Sequence, residues 1–190
     1  MSFIEVIAVI FSLACIWLAV KKHILNWLMG IIGVSAYMIL FYQERLYADM
    51  LLQVVFISQG IYGWYNWVKN KERNDELEVG YLSRNELILY CLIILVVSAT
   101  WAFILIKYTN ASTPLVDAFV ATTSLVANWL MAKKKIENWI LWILADIIYI
   151  ALFWYKQLFL SSGIYVVFLI LSIKGLIDWN KQRNIKKDLH

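Results

Sequence analysis

The sequence predicts an all-α integral membrane protein whose seven transmembrane helices form two parallel-repeat triple-helix bundles joined by a linker helix, in a 3+1+3 order. Three observations carry that prediction. Hydrophobic residues make up 63% of the chain and charged residues 16%, with a mean hydropathy of +0.71, well outside the composition of soluble domains. The apolar residues gather in seven runs of about 18 to 22, each long enough at 1.5 Å per residue to cross a hydrocarbon core of about 30 Å. The chain also repeats itself: shifted by 112 residues, 16–67 aligns without a gap on 128–179, and 18 of the 52 pairs are identical, far more than chance supplies. Runs one to three thus match runs five to seven, and run four inverts the chain so that both bundles point the same way.

The first run, 3–20, lacks a basic leader and a small-residue cleavage site, so it reads as a retained helix that stops at Lys21, Lys22 and His23. The second, 25–42, carries Gly30 and Gly33, which admit a close neighbour. The third is 46–67. A charged stretch with Gly80 follows, and Ser83 and Glu86 have the spacing of a capping box that starts the fourth run, 87–106. Ser112, Thr113 and Pro114 form a cap and first turn for the fifth, 115–132. The sixth covers 138–155 and the seventh 158–179. The expected units are a first bundle at 1–68, a cytoplasmic loop at 69–86, the linker helix 87–106, a second bundle at 107–180 and a tail at 181–190.

Lys and Arg set the orientation. Thirteen of the 17 fall on one side: Lys21, Lys22, Lys69, Lys71, Arg73, Arg84, Lys133, Lys134, Lys135, Lys181, Arg183, Lys186 and Lys187. Three, Arg45, Lys107 and Lys156, fall on the other, and Lys174 stays inside the seventh run. The positive-inside rule then puts the amino terminus outside and the carboxy terminus in the cytoplasm. The net charge of +4 reflects these short loops, and no nucleic-acid partner is expected. Cys15 and Cys91 sit in apolar runs without metal spacing and read as small hydrophobes. Most of the ten Trp and eleven Tyr crowd toward the ends of the runs, as interface anchors do.

Run six, NWILWILADIIYIALFWY, places one carboxylate, Asp146, near the middle of an apolar helix. Trp139, Trp142, Tyr149 and Phe153 stand three or four residues apart around it. At about 100° per residue, the five side chains share an arc of roughly 80°. A carboxylate at that depth costs about 2.5–3.5 kcal/mol on insertion scales, so it must face a partner, water or a ligand. An aromatic face holding one anion suits a flat organic cation.

The repeat separates scaffold from site. Positions that agree between copies, such as Trp27 with Trp139, Gly63 with Gly175 and Trp67 with Trp179, serve packing. Positions that change polarity are candidates for asymmetric chemistry: Gly30 becomes Trp142, Val34 becomes Asp146, Gln53 becomes Tyr165 and Tyr62 becomes Lys174. Asp146 and Trp142 come first as substrate contacts, then Gln53 from the facing bundle, with Trp139, Tyr149 and Asn128 completing the set. Plainer roles compete with several of these. Gln53 and Gln59 serve as interhelical bonds of about 0.6 kcal/mol each in the plainer reading, and Asn128 bonds a neighbouring backbone. Asn26 and Asn138 cap helices, Lys174 and Asp178 form a salt bridge four residues apart, and Asp49 is an N-terminal helix charge.

Enzyme chemistry lacks its parts. No His-Cys-Asp cluster, phosphate loop or zinc spacing appears, and one carboxylate alone has no second group for acid–base work. No cofactor or metal is expected. A loop of about 18 residues cannot fold as a nucleotide-binding domain, which excludes an ATP-driven pump for this chain alone. A passive carrier, a proton-coupled carrier of a small flat solute using Asp146, and a structural membrane subunit stay open, as does self-association into a homo-oligomer.

The pattern Trp139-x-x-Trp142-x-x-x-Asp146 follows the second Lys-rich turn, and LLQVVF at 51–56, IYGWYNW at 61–67 and ENWILW at 137–142 accompany it. Together they resemble the PnuC family of bacterial vitamin transporters over nearly the whole chain, 4–179. The resemblance implies two triple-helix bundles with a linker helix, akin in architecture to the SWEET sugar transporters. It also implies uptake of nicotinamide riboside through the bacterial inner membrane by facilitated diffusion, with cytoplasmic phosphorylation trapping the substrate. Members that carry nicotinamide riboside often have Asn where this chain has Asp146, and relatives with the same layout carry thiamine. Both vitamins join an aromatic ring to a fixed positive charge, so both remain candidates.

Overall fold

A computed structural model describes residues 3–43, 47–72, 78–109 and 112–188. Arg45, Leu46, Arg73 and His190 lie outside the described residues. The chain forms α1 (Phe3–Val20), α2 (Leu25–Gln43), α3 (Tyr47–Glu72), α4 (Arg84–Tyr108), α5 (Pro114–Ala132), α6 (Glu137–Tyr155) and α7 (Phe159–Asp188). Among the described residues six of these are long and apolar enough to cross a membrane. The exception is α3, which at 26 residues is long enough but less apolar. Part of its polarity faces the other bundle: Gln59 Nε2 donates to the Leu125 carbonyl at 3.2 Å and Asn66 Nδ2 to the Ala132 carbonyl at 2.9 Å. Helix α7 does not stop at Trp179, because the charged segment beyond it contains neither Gly nor Pro to break it.

Local signals are realised at the helix ends. Ser83 and Glu86 form the complete capping box of α4, and Pro114 opens α5. Thr113 Oγ1 does not cap α5; it donates to the Asp117 carboxylate at 3.1 Å. The two Lys-rich turns are built alike. Lys22 and Lys134, one repeat apart, both adopt left-handed backbone with φ of 54° and 51°. Each closes a Schellman turn, with His23 N bonded to Leu18 O and Lys135 N to Leu130 O, both at 2.9 Å. Asn26 and Asn138 differ from the expected capping role: each side-chain amide donates to the carbonyl three residues earlier, at 2.7 and 2.6 Å, tying its own turn together.

Within the first bundle α1 packs on α2 and α2 on α3; within the second α5 packs on α6 and α6 on α7, with α4 laid against α5. The bundles meet through α3 with α5 and α1 with α7. Because α1 corresponds to α5 and α3 to α7, these are one contact made twice about a pseudo-two-fold axis. The buried core at the Lys-rich end obeys the same symmetry. Trp27 meets Trp67 edge-on with centroids 5.4 Å apart, and Trp139 meets Trp179 at 5.4 Å. Trp67 Nε1 crosses to the Ala132 carbonyl at 3.1 Å, and Trp179 Nε1 crosses to the Val20 carbonyl at 3.2 Å. These indole clasps close that end of the molecule.

The close approach of α3 and α7 to the indoles requires glycine. A Cβ at Gly63 would lie 2.5 Å from the Trp27 ring, and one at Gly175 would lie 2.6 Å from the Trp139 ring. Both contacts are far inside van der Waals distance and meet rigid, buried rings. Gly63→Ala and Gly175→Ala are therefore each expected to destabilise the protein by about 1–3 kcal/mol. Thermal aggregation of the detergent-solubilised variants reads this directly. Unchanged midpoints for both would mean that the indoles have room to move.

Among the described residues, the segment before α4 is hydrogen-bonded to the second bundle. Gly80 exchanges backbone bonds with the turn, its N–H to Lys134 O at 3.2 Å and its carbonyl from Ile136 N at 2.9 Å. Leu82 N donates to Glu137 Oε1 at 2.8 Å, Tyr81 hydrogen-bonds Asn180, and the Arg183 guanidinium lies 4.4 Å over the Tyr81 ring.

Candidate functional site

A cavity of about 530 Å³ lies between the bundles, lined from α1, α2, α3, α5, α6 and α7. That size suits a small organic ligand. Asn26, Trp27 and Met131 mark its floor beside the closed, Lys-rich end, and Glu5, Phe41 and Asp49 line it toward the opposite end. Among the described residues its wall holds carboxylates and no Lys or Arg. A cation is favoured throughout.

Helix α6 supplies the most distinctive wall. Trp142, Asp146, Tyr149 and Phe153 line the cavity, as their shared arc requires. Asp146 is 3% exposed, and its Oδ2 accepts from Ser172 Oγ at 3.0 Å. Among the described residues Ser172 is its only hydrogen-bond partner, which leaves Oδ1 to the cavity. Tyr149 lies 4.6 Å from the Tyr165 ring and 5.6 Å from Phe153, and Phe153 lies 5.3 Å from Tyr165. The three rings make one slab between α6 and α7 beside the carboxylate. Across the cavity the repeat partners Tyr37 and Phe41 stack at 6.1 Å on α2.

Five of the six residues expected at the site meet on this cavity: Trp142, Asp146, Tyr149, Gln53 and Asn128. Gln53 is 9% exposed and makes no hydrogen bond among the described residues, so its amide is free for a ligand. Asn128 lines the cavity, and in place of the backbone bond weighed for it, its Nδ2 donates to the side-chain Oε1 of Gln59 at 3.1 Å, joining α5 to α3. Trp139 does not line the cavity. It is fully buried against Trp179 and Gly175, in the core that closes the Lys-rich end. Its angle on α6 matches the site face, but its depth falls where the bundles have already met.

Three contributors lie outside the six residues expected at the site, Tyr165 among them even though the change from Gln53 to Tyr165 marked its position. Asp49, read as a helix-start charge, is on the cavity wall, and so is Tyr165. Ser172 holds the carboxylate. The repeat carried a signal for the last two, since they replace Gln53 and Gly60 of the first bundle. Lys174 and Asp178 lie 3.8 Å apart as a half-exposed ion pair, away from the cavity, in the plainer role weighed for them.

Two three-helix repeats enclosing a cavity inside an apolar, multi-pass bundle define the class: a membrane transporter. Residues 2–181 match the family described as "Nicotinamide mononucleotide transporter", and the chain belongs to that family. It is 28% identical, over 94% of its length and 85% of the relative's, to the nicotinamide riboside transporter PnuC of Escherichia coli (strain K12). It is 27% identical to the protein of the same name from Neisseria mucosa, over 95% of this chain and 73% of that one. The solved structure titled "Crystal structure of the Vitamin B3 transporter PnuC" superposes with a TM-score of 0.76 at 27% identity, covering 96% of this chain and 83% of that one.

Proposed function

We propose that the chain carries nicotinamide riboside into the cell by facilitated diffusion across the bacterial inner membrane, with cytoplasmic phosphorylation trapping the product. The observation that carries this reading is the Asp146 carboxylate, buried on the cavity wall among Trp142, Tyr149 and Tyr165. A pyridinium ring pairs its charge with the carboxylate and its faces with the aromatic groups, each cation–π contact adding about 0.5–2 kcal/mol. The free amide of Gln53 and the carbonyl of Asn128 suit a carboxamide and ribose hydroxyls. The relatives named as nicotinamide riboside transporters support the choice of substrate. The Lys-rich, indole-clasped end is taken as cytoplasmic from the uneven distribution of Lys and Arg, which puts Asp49 at the outer mouth. Transport then consists of rocking the two bundles about the midplane site, opening the clasped end as the outer end closes.

Thiamine is the second reading, favoured by the carboxylate at 146, which pairs with a thiazolium as well as with a pyridinium. The test is uptake of each radiolabelled vitamin into liposomes containing the purified protein, with and without an imposed pH gradient. Saturable nicotinamide riboside uptake that equilibrates without a gradient is the expected result. Uptake of thiamine alone would reassign the substrate, and uptake only with a gradient would make the carrier proton-coupled.

A further inference from the structure

The geometry points to Ser172 as the residue that aims the Asp146 carboxylate, making it a positioning residue for recognition of the substrate's positive charge. This rests on the proposed cationic substrate. The Ser172 hydroxyl is fully buried on α7 and donates to Asp146 Oδ2 at 3.0 Å. That bond joins α6 to α7 and engages Oδ2, while Oδ1 has no hydrogen-bond partner among the described residues and Asp146 lines the cavity. An unheld aspartate would rotate about χ2, a broad and soft torsion, and spread its charge over several directions.

The chain contains its own control. At the equivalent place in the first bundle Val34 stands for Asp146 and Gly60 stands for Ser172, so carboxylate and hydroxyl are both absent there. Gly60 has no space for a side chain, since a Cβ would lie 2.9 Å from Ile31. Elsewhere the matched pairs, Trp27 with Gly63 and Trp139 with Gly175, keep their contacts in both bundles. The Asp146–Ser172 pair is therefore an addition to one bundle and not part of the shared packing. A hydrogen bond of this kind to an ionised group carries more free energy than a neutral one. Its loss is expected to weaken substrate binding by about tenfold.

The test is calorimetric titration of nicotinamide riboside into the purified wild type, Ser172→Ala, Ser172→Thr, Asp146→Asn and the Asp146→Asn/Ser172→Ala double variant. The expected pattern is a loss of about tenfold in Ser172→Ala and affinity within about twofold of wild type in Ser172→Thr. In the Asp146→Asn background, where there is no charge to aim, removing Ser172 should cost under about twofold. Wild-type affinity in Ser172→Ala, or the same loss from Ser172→Ala in both backgrounds, would overturn the positioning role. Absence of binding to the wild type would instead overturn the substrate reading on which it rests.

Discussion

Asp146→Ala is expected to lower affinity for nicotinamide riboside by at least about 30-fold while leaving the protein as stable as before, or more stable. The two halves of that expectation have one cause. In the absence of substrate the carboxylate is a buried anion with one hydrogen-bond donor, Ser172, and no cation near it among the described residues. Such a group costs free energy in an apolar surrounding, and replacing it with a small apolar side chain relieves that cost. A bound cationic substrate would pair the same anion, and removing one partner of a desolvated charge pair typically costs about 2–5 kcal/mol. Thermal midpoints measured with and without saturating ligand separate the halves. The wild type should gain stability on ligand addition, and the variant should gain much less. A variant that unfolds on its own at lower temperature would mean that Asp146 is part of the scaffold.

The second large effect separates two tryptophans three residues apart. Trp139→Ala is expected to cost about 3–5 kcal/mol of stability, because it empties a fully buried site between Trp179 and the bare backbone of Gly175. Trp142→Ala should fold well and bind about 3- to 30-fold more weakly, through loss of a ring beside the carboxylate. Trp27, the repeat partner of Trp139, should lose stability as Trp139 does, since it is 3% exposed and covers Gly63 in the same way, although unlike Trp139 it also borders the cavity floor. Thermal denaturation and ligand titration of the three alanine variants settle the division. Equal losses of affinity in well-folded Trp139→Ala and Trp142→Ala would return Trp139 to the site.

That division shows which part of the molecule could be read from the sequence. Helical periodicity fixes the angle of a side chain on its own helix, and it placed Trp142, Asp146, Tyr149 and Phe153 on one wall correctly. It does not fix depth relative to a neighbour, so Trp139 shared the arc and still fell below the floor of the cavity. The repeat supplied the architecture, because each bundle restates the other down to the left-handed Lys22 and Lys134. It also carried more about the site than was drawn from it. Ser172 and Tyr165 lie on α7, and the pattern of α6 cannot say which face of α7 it meets; only the changes at Gly60 and Gln53 between copies mark them. Helix α3 is the reverse case. Its Gln59 and Asn66 lower its hydropathy below that of the other spans, yet both bond to backbone carbonyls of α5.

We propose that one buried carboxylate with its aromatic wall recognises a cationic vitamin. Parallel titrations of the purified protein with nicotinamide riboside and thiamine, followed by quenching of tryptophan fluorescence, test it most directly. Saturable quenching by nicotinamide riboside is expected in the wild type and should be lost, at the same concentrations, in Asp146→Ala. Equal binding by the wild type and Asp146→Ala, or no response to either vitamin, would contradict it.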